Sequence, residues 1–233
     1  AVRMAAFLGG SVFAFSPYHM AHLLGHMQLI SLEWLPFAVL AALMLLSRCG
    51  DRPANDGHAT TRRCLRMSGL VALFLVLVAL CDWYYVLYTV LLIGWLWLTS
   101  LSHWRGALRS AAGLALGGLL FAAATAVLWL PMVRESLVAD YMVPEAGSAE
   151  RLSADLLAFV TPSSLHPWWG EWAAGIADRF TASLSERTVF AGYAVIALAL
   201  LALAVYRRRA ARWGAAALAF AVLALGPVLH IGG

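Results

Sequence analysis

Lysine is absent from this chain, and charge of either sign is scarce. Sixteen arginines and twelve acids make up 12% of 233 residues, against 63% hydrophobic, where a soluble domain carries about 25% charged residues. With a mean hydropathy of +0.81, that scarcity excludes an ordinary soluble domain and points to a polytopic membrane protein. Period-two alternation is missing as well, which excludes an outer-membrane barrel. Helices are left as the spanning elements, because lipid offers the backbone no hydrogen-bond partners. The three cysteines, Cys49, Cys64 and Cys81, have neither CxxC spacing nor an even count. That argues against a zinc site or disulfide framework and makes ordinary small residues the expectation. The net charge of +4 sits on no basic, aromatic-interleaved soluble segment, so no nucleic-acid partner is expected. Walker, GxSxG, HExxH and dinucleotide motifs are all missing, which leaves ATPase, serine-hydrolase and zincin chemistry unsupported. The chain opens at Ala1 with neither an initiator Met nor a basic n-region, and is expected to be a piece of a longer protein.

What is present is a series of apolar runs: 1–16, 32–47, 66–81, 84–100, 111–130, 188–206 and 213–230. Crossing a hydrocarbon core of ~30 Å takes about 20 apolar residues in a helix. The fold expected is all-α, a polytopic transmembrane bundle of seven helices in which residues 1–130 and 188–233 form one membrane domain and 131–187 a large external loop. Arginine distribution sets the orientation. Arg3, Arg48, Arg52, Arg62, Arg63, Arg66, Arg105, Arg109, Arg207, Arg208, Arg209 and Arg212 fall on the cytoplasmic side in this arrangement. Arg134, Arg151, Arg179 and Arg187 fall outside, with Glu33, Asp82 and the eight acids of the loop, among them Asp140 and Glu145. Three polar or aromatic regions, 16–33, 82–85 and 131–187, then share the external face. Ionisable groups at membrane depth are costly and mark functional paths. Within the loop, SADLLAFV at 153–160 reads as a short interfacial amphipathic helix capped by Ser153.

His19, His22 and His26, spaced i, i+3 and i+7, share one face of a helix. Three readings stay open for them: a divalent metal ion held by His22 and His26 across the HxxxH spacing, contact with phosphate or sugar, or interfacial filler. Glu33, ahead of Pro36, is either a general base or a charge reaching for water. Asp82 beside Trp83, Tyr84 and Tyr85 is either a sugar-stacking platform or a helix cap in an aromatic belt. Arg134, Arg151 and His166 are the loop groups whose donors suit a phosphate, with surface ion pairing as the competing account.

VFAFSPYHMAHLLGHMQLISLEWLPFAVLAAL at 12–43, DWYYVLYTVLL at 82–92 and SADLLAFVTPSSLHPWWG at 153–170 together resemble bacterial membrane glycosyltransferases of the GT-C type. The relatives in question are the YfhO-like group and the 6-pyruvoyl-tetrahydropterin-synthase-related membrane proteins. The resemblance implies an enzyme of the bacterial inner membrane that moves a sugar from a polyprenyl-phosphate donor to a cell-envelope acceptor at the external face. It implies that His22, His26, Gln28 and Glu33 line the site, with Asp155, Pro162 and His166 contributed by the large loop. GT-C enzymes keep an essential acid in the first external loop. That base is therefore expected upstream of Ala1, with Glu33 and Asp82 as the candidates within the chain. The rival readings are a flippase-like transporter, a di-iron oxidase and a non-catalytic scaffold. A transport path would continue inward as membrane charges, which 111–130 and 188–206 lack. An oxidase needs several histidine boxes, whereas His58, His103, His166 and His230 are isolated.

Overall fold

The computed structural model describes residues 2–23, 25–50, 57–100, 104–139 and 147–233. The α-helices are α1 (Val2–Ala14), α2 (Pro17–His22), α3 (Leu35–Gly50), α4 (Gly57–Cys81), α5 (Trp83–Leu98), α6 (Trp104–Ala124), α7 (Ala126–Ser136), α8 (Ser148–Arg151), α9 (Gly170–Ala177), α10 (Tyr193–Val205) and α11 (Arg207–Ala224). Two 3-10 turns, Met27–Ile30 and Leu156–Phe159, complete the order. Among the described residues there is no strand, only one isolated bridge between Asp155 and His230. The chain divides into two compact units, Ser31–Val143 and the discontinuous pair Ala1–Ile30 with Pro144–Gly233. Residues 147–187, most of the stretch expected as the large external loop, lie in the unit that also holds α1, α2, α10 and α11.

All seven apolar runs carry helix, but length separates them. Among the described residues, only Thr60–Cys81 and Gly106–Ala124 are long and apolar enough to cross a membrane. At 1.5 Å per residue, the 13 residues of α10 cover ~20 Å, well under the ~30 Å of a hydrocarbon core. The 18 residues of α11 open on Arg207, Arg208, Arg209 and Arg212. The 111–130 run is interrupted at Thr125, whose φ of −98° and ψ of 4° leave the helical region; its hydroxyl bonds to the Phe121 carbonyl at 2.8 Å beside the backbone bond that the same carbonyl accepts, a contact that bends helices. Beyond the break, Pro131 lies inside α7 and removes a further donor.

In the 31–143 unit, α3, α4 and α6 pack around small residues. Ala38, Ala41, Ala42, Leu45 and Cys49 form one stripe of α3, none more than 3% exposed, at the spacing of a single helix face. Gly113 of α6 lies against Leu45, and Gly117 lies against the Ser68 backbone and Val71. The Ser68 hydroxyl donates to the Gly113 carbonyl at 2.7 Å. Leu40, Leu73, Leu80, Leu87, Leu108 and Leu119 are turned outward and exposed. Small residues inside and leucines outside is the arrangement expected where lipid removes the hydrophobic reward for helix association and close backbone approach takes its place. Asp82 caps α5 by accepting from the Tyr84 amide at 2.7 Å, and Trp83 packs on Phe121.

Cys49 and Cys64 form a disulfide, with Cα atoms 5.9 Å apart; only Cys81 is a free thiol. The expectation of three ordinary small residues is corrected for this pair. Their separation of 15 residues gives no motif, and it is the packing of α3 along α4 that brings them together.

In the discontinuous unit, SADLLAFV does not form the amphipathic helix expected of it. Its helical part is the four-residue turn Leu156–Phe159, and the cap is Asp155 rather than Ser153. Asp155 is 3% exposed and accepts from Leu157 N at 2.8 Å, Gly232 N at 2.7 Å and Gly233 N at 2.9 Å. Three backbone donors draw this carboxylate away from a continued helix. Ser153 instead packs where Gly226 turns the chain after α11; with φ +64, that glycine meets the Ser153 side chain wherever a Cβ is added.

Candidate functional site

The sequence around Ser16 sets up α2. Pro17 occupies the first helical position and the Ser16 hydroxyl accepts from His19 N at 3.4 Å, a capped start with a preset φ. On this short helix His19 is 6% exposed and His22 2%. Each is buried with its Nδ1 committed. His19 Nδ1 lies 2.9 Å from the Phe13 carbonyl and 3.0 Å from the Ser16 hydroxyl, and His22 Nδ1 lies 2.9 Å from the Tyr18 carbonyl. A carbonyl only accepts, so both rings carry their proton on Nδ1 and leave Nε2 with its lone pair when neutral. The His22 ring lies 4.0 Å from that of Tyr18 and 5.7 Å from that of His26, centroid to centroid. Burial pushes the His22 imidazole below its ordinary value, the neighbouring His26 and His19 add to that, and the Tyr18 carbonyl and Glu186 oppose it.

His26 reaches a segment 159 residues away. Its Nδ1 lies 3.3 Å from the Ser185 hydroxyl, Ser185 lies 3.1 Å from the Ser183 hydroxyl, and Ser183 donates to Glu186 Oε2 at 2.9 Å. Ser183 O accepts from Arg187 N at 2.9 Å and Thr188 Oγ1 donates to Leu184 O at 2.7 Å, so two local bonds close the turn that presents these groups. Arg187 is held apart from the cluster by an ion pair of 2.6 Å to Asp178.

The side of α2 that carries Pro17, Met20 and Ala21 borders a partly open cavity of about 290 Å³, lined also by Phe15, Ser163, Leu165, His166, Pro167 and Phe190. His166 has the opposite polarity to the other imidazoles. Its Nδ1 accepts from the Trp168 and Trp169 amides, each at 3.2 Å, so its proton sits on Nε2 and the neutral ring is an N–H donor. The ring stacks on Trp169 with centroids 5.0 Å apart.

His19, His22, His26 and His166 therefore belong to one unit, as do Arg151 and Asp155. The three histidines adjoin one another; His166 lines the cavity on another side of α2. Asp155 has both oxygens engaged by backbone amides, Pro162 is fully buried, and Arg151 ends α8 on the surface. Glu33, Asp82, Trp83, Tyr84 and Arg134 belong to the 31–143 unit. Glu33 is exposed in the turn before α3 and Arg134 exposed in the last turn of α7. Asp82 holds its capping bond, and Tyr84 is largely exposed. The side chain of Gln28, together with Asp140 and Glu145, lies outside the described residues. Among the described residues, no three His, Cys, Asp or Glu side chains converge as a metal-ligand set. Glu186, Ser183 and Ser185 were not singled out by sequence. Their only signal was the SLSE run inside an acidic stretch, and nothing in it points to a histidine 159 residues earlier.

A family model described as a domain of unknown function, DUF6311, matches residues 1–233. No curated protein and no solved structure matches the chain.

Proposed function

The chain belongs to the DUF6311 family, and on the chemistry of its site we propose a membrane-embedded transferase that moves a sugar from a polyprenyl-phosphate donor to an acceptor hydroxyl of the cell envelope. One observation carries this reading: α2 has an apolar cavity bearing an N–H donor, His166, beside one part of its surface, and Nδ1-protonated imidazoles on another. A lipid-linked sugar phosphate has the matching parts. Its isoprenoid fills an apolar slot, its phosphate takes a donor, and the hydroxyls of sugar and acceptor meet Nε2 lone pairs. The Nε2–H of a neutral His166 is suited to the phosphate as negative charge develops on the leaving group, because a ring already held by two bonds to its Nδ1 needs little reorganisation. Trp168, Trp169 and Trp172 are exposed in the same unit, a composition favoured at the headgroup level of a bilayer. In this reading the protein is a multi-pass protein of the bacterial inner membrane, α2 and residues 147–187 face the exterior, and the arginines at the start of α11 face the cytoplasm.

The test is transfer by the full chain in bilayers supplied with radiolabelled polyprenyl-phosphate sugars. Wild type is expected to label an envelope acceptor, and His22→Ala and His26→Ala to lower the rate at least tenfold. Unchanged transfer by both variants removes the histidines from the site. No transfer from any such donor overturns the reading.

A further inference from the structure

Four side chains fix one another's protons. Ser183 has a single hydroxyl proton and gives it to the Glu186 carboxylate, which has none to give. Toward Ser185, 3.1 Å away, Ser183 is therefore an acceptor, and Ser185 spends its only proton there. Ser185 must in turn accept from His26 Nδ1, at 3.3 Å. The carboxylate thus polarises the whole chain from one end, and at the other end a neutral His26 ring keeps its lone pair on Nε2.

We propose that His26 is the general base toward the acceptor hydroxyl and that Ser185, Ser183 and Glu186 form its proton outlet. The inference rests on the transferase reading and deepens it. As the acceptor oxygen bonds to the anomeric carbon of the donor, the bond from that carbon to the phosphate oxygen breaks and the polyprenyl phosphate leaves with the electron pair. The acceptor's proton goes to His26 Nε2. The Nδ1 proton passes to Ser185, the Ser185 proton to Ser183 and the Ser183 proton to Glu186, which ends as the carboxylic acid and returns its proton to water. His26 is the catalytic residue in this step; the two serines and Glu186 are positioning residues acting through it. No oxidant, reductant or further reactant enters.

Two readouts separate the chain from the activity. Nitrogen-15 imidazole spectra of the full protein are expected to show neutral His26 protonated on Nδ1, with that preference lost in Ser185→Ala; a wild-type ring protonated on Nε2 overturns the proposal whatever the protein transfers. In the bilayer assay, Glu186→Gln and Ser185→Ala are expected to lower kcat about 100-fold, the usual scale of general base catalysis, with KM for the lipid donor unchanged and Ser185→Thr restoring the rate. Wild-type transfer with undiminished kcat in both variants overturns the outlet and leaves the transferase standing. Absence of wild-type transfer removes the transferase and the base role together. Should Glu186→Gln fail to fold, as judged by its thermal transition, Ser185→Ala decides.

Discussion

His22 shows how a single residue ties the site to stability. It is almost fully buried, and its imidazole is held below the ordinary histidine value chiefly by that burial, with Glu186 pulling the other way. In the unfolded chain the same ring titrates near 6.5, so just below that pH the unfolded state binds a proton that the folded state refuses. Stability rises with pH wherever the unfolded state binds more protons. The contribution of His22 is therefore fully present above about pH 6.5 and is lost as the pH falls toward its lower folded value. The melting temperature of the wild type is expected to drop between pH 7.5 and 5.5 by several degrees more than that of His22→Gln. Parallel curves for the two proteins would show that His22 does not carry this linkage. Glu186→Gln, which removes the opposing charge, is expected to steepen the wild-type curve.

At the scale of elements, the seam between α3 and α6 is built on glycine for one reason, the approach of two backbones. A Cβ on Gly106 would overlap the carbonyl group of Gly50, whereas a Cβ on Gly118 of the same helix meets nothing within 4 Å. Alanine at the two positions is therefore expected to act with opposite signs. Gly106→Ala forces the helices apart at a cost of about 1–3 kcal/mol, as overpacking does. Gly118→Ala gains up to about 1 kcal/mol of helix propensity with no clash. Thermal unfolding in detergent checks both, and equal shifts would mean that the seam tolerates separation. The helices themselves were legible in the sequence because apolar runs persist over many residues and survive errors of boundary. Their ends were not. A run of uniform composition breaks at Thr125, where the backbone turns out of the helical region and the hydroxyl adds a second bond to the Phe121 carbonyl. Asp155 displaces Ser153 as a cap because it also holds the amides of Gly232 and Gly233, contacts 77 and 78 residues away that no local pattern announces. That His19, His22 and His26 lie near one another was legible because their spacing is local, but they do not share a helix face, since α2 ends at His22 and His26 lies beyond it. Glu186 was not legible, because its link to His26 passes through two serines that carry no signal of their own.

For the molecule as a whole, sidedness turns on α10. Arginine bias assigns Ser185 to the exterior and Arg208 to the cytoplasm, yet only the 13 residues of α10 are helical between them before Tyr206. That helix covers ~20 Å, about 10 Å short of a typical hydrocarbon core. Val189, Phe190 and Ala191 precede it without helical structure. Non-helical backbone is tolerated at membrane depth only where protein covers it; Thr188 and Phe190 are covered, at 3% and 4% exposed, while Ala191 is exposed and so falls at the interface and not at membrane depth in such a crossing. At the other end, a short span is accommodated by thinning of the bilayer and by flanking side chains that reach for water, a role suited to Arg207, Arg208 and Arg209. A crossing is thus expected despite the length. In a background with Cys49, Cys64 and Cys81 replaced by alanine, Ser185→Cys is expected to react with a membrane-impermeant maleimide on intact cells. Arg208→Cys is expected to react only after permeabilisation. Labelling of both from one side would mean that α10 enters and leaves the same face. The Glu186 turn and the arginine cluster would then share a compartment, and an external site could no longer be inferred from the arginine count.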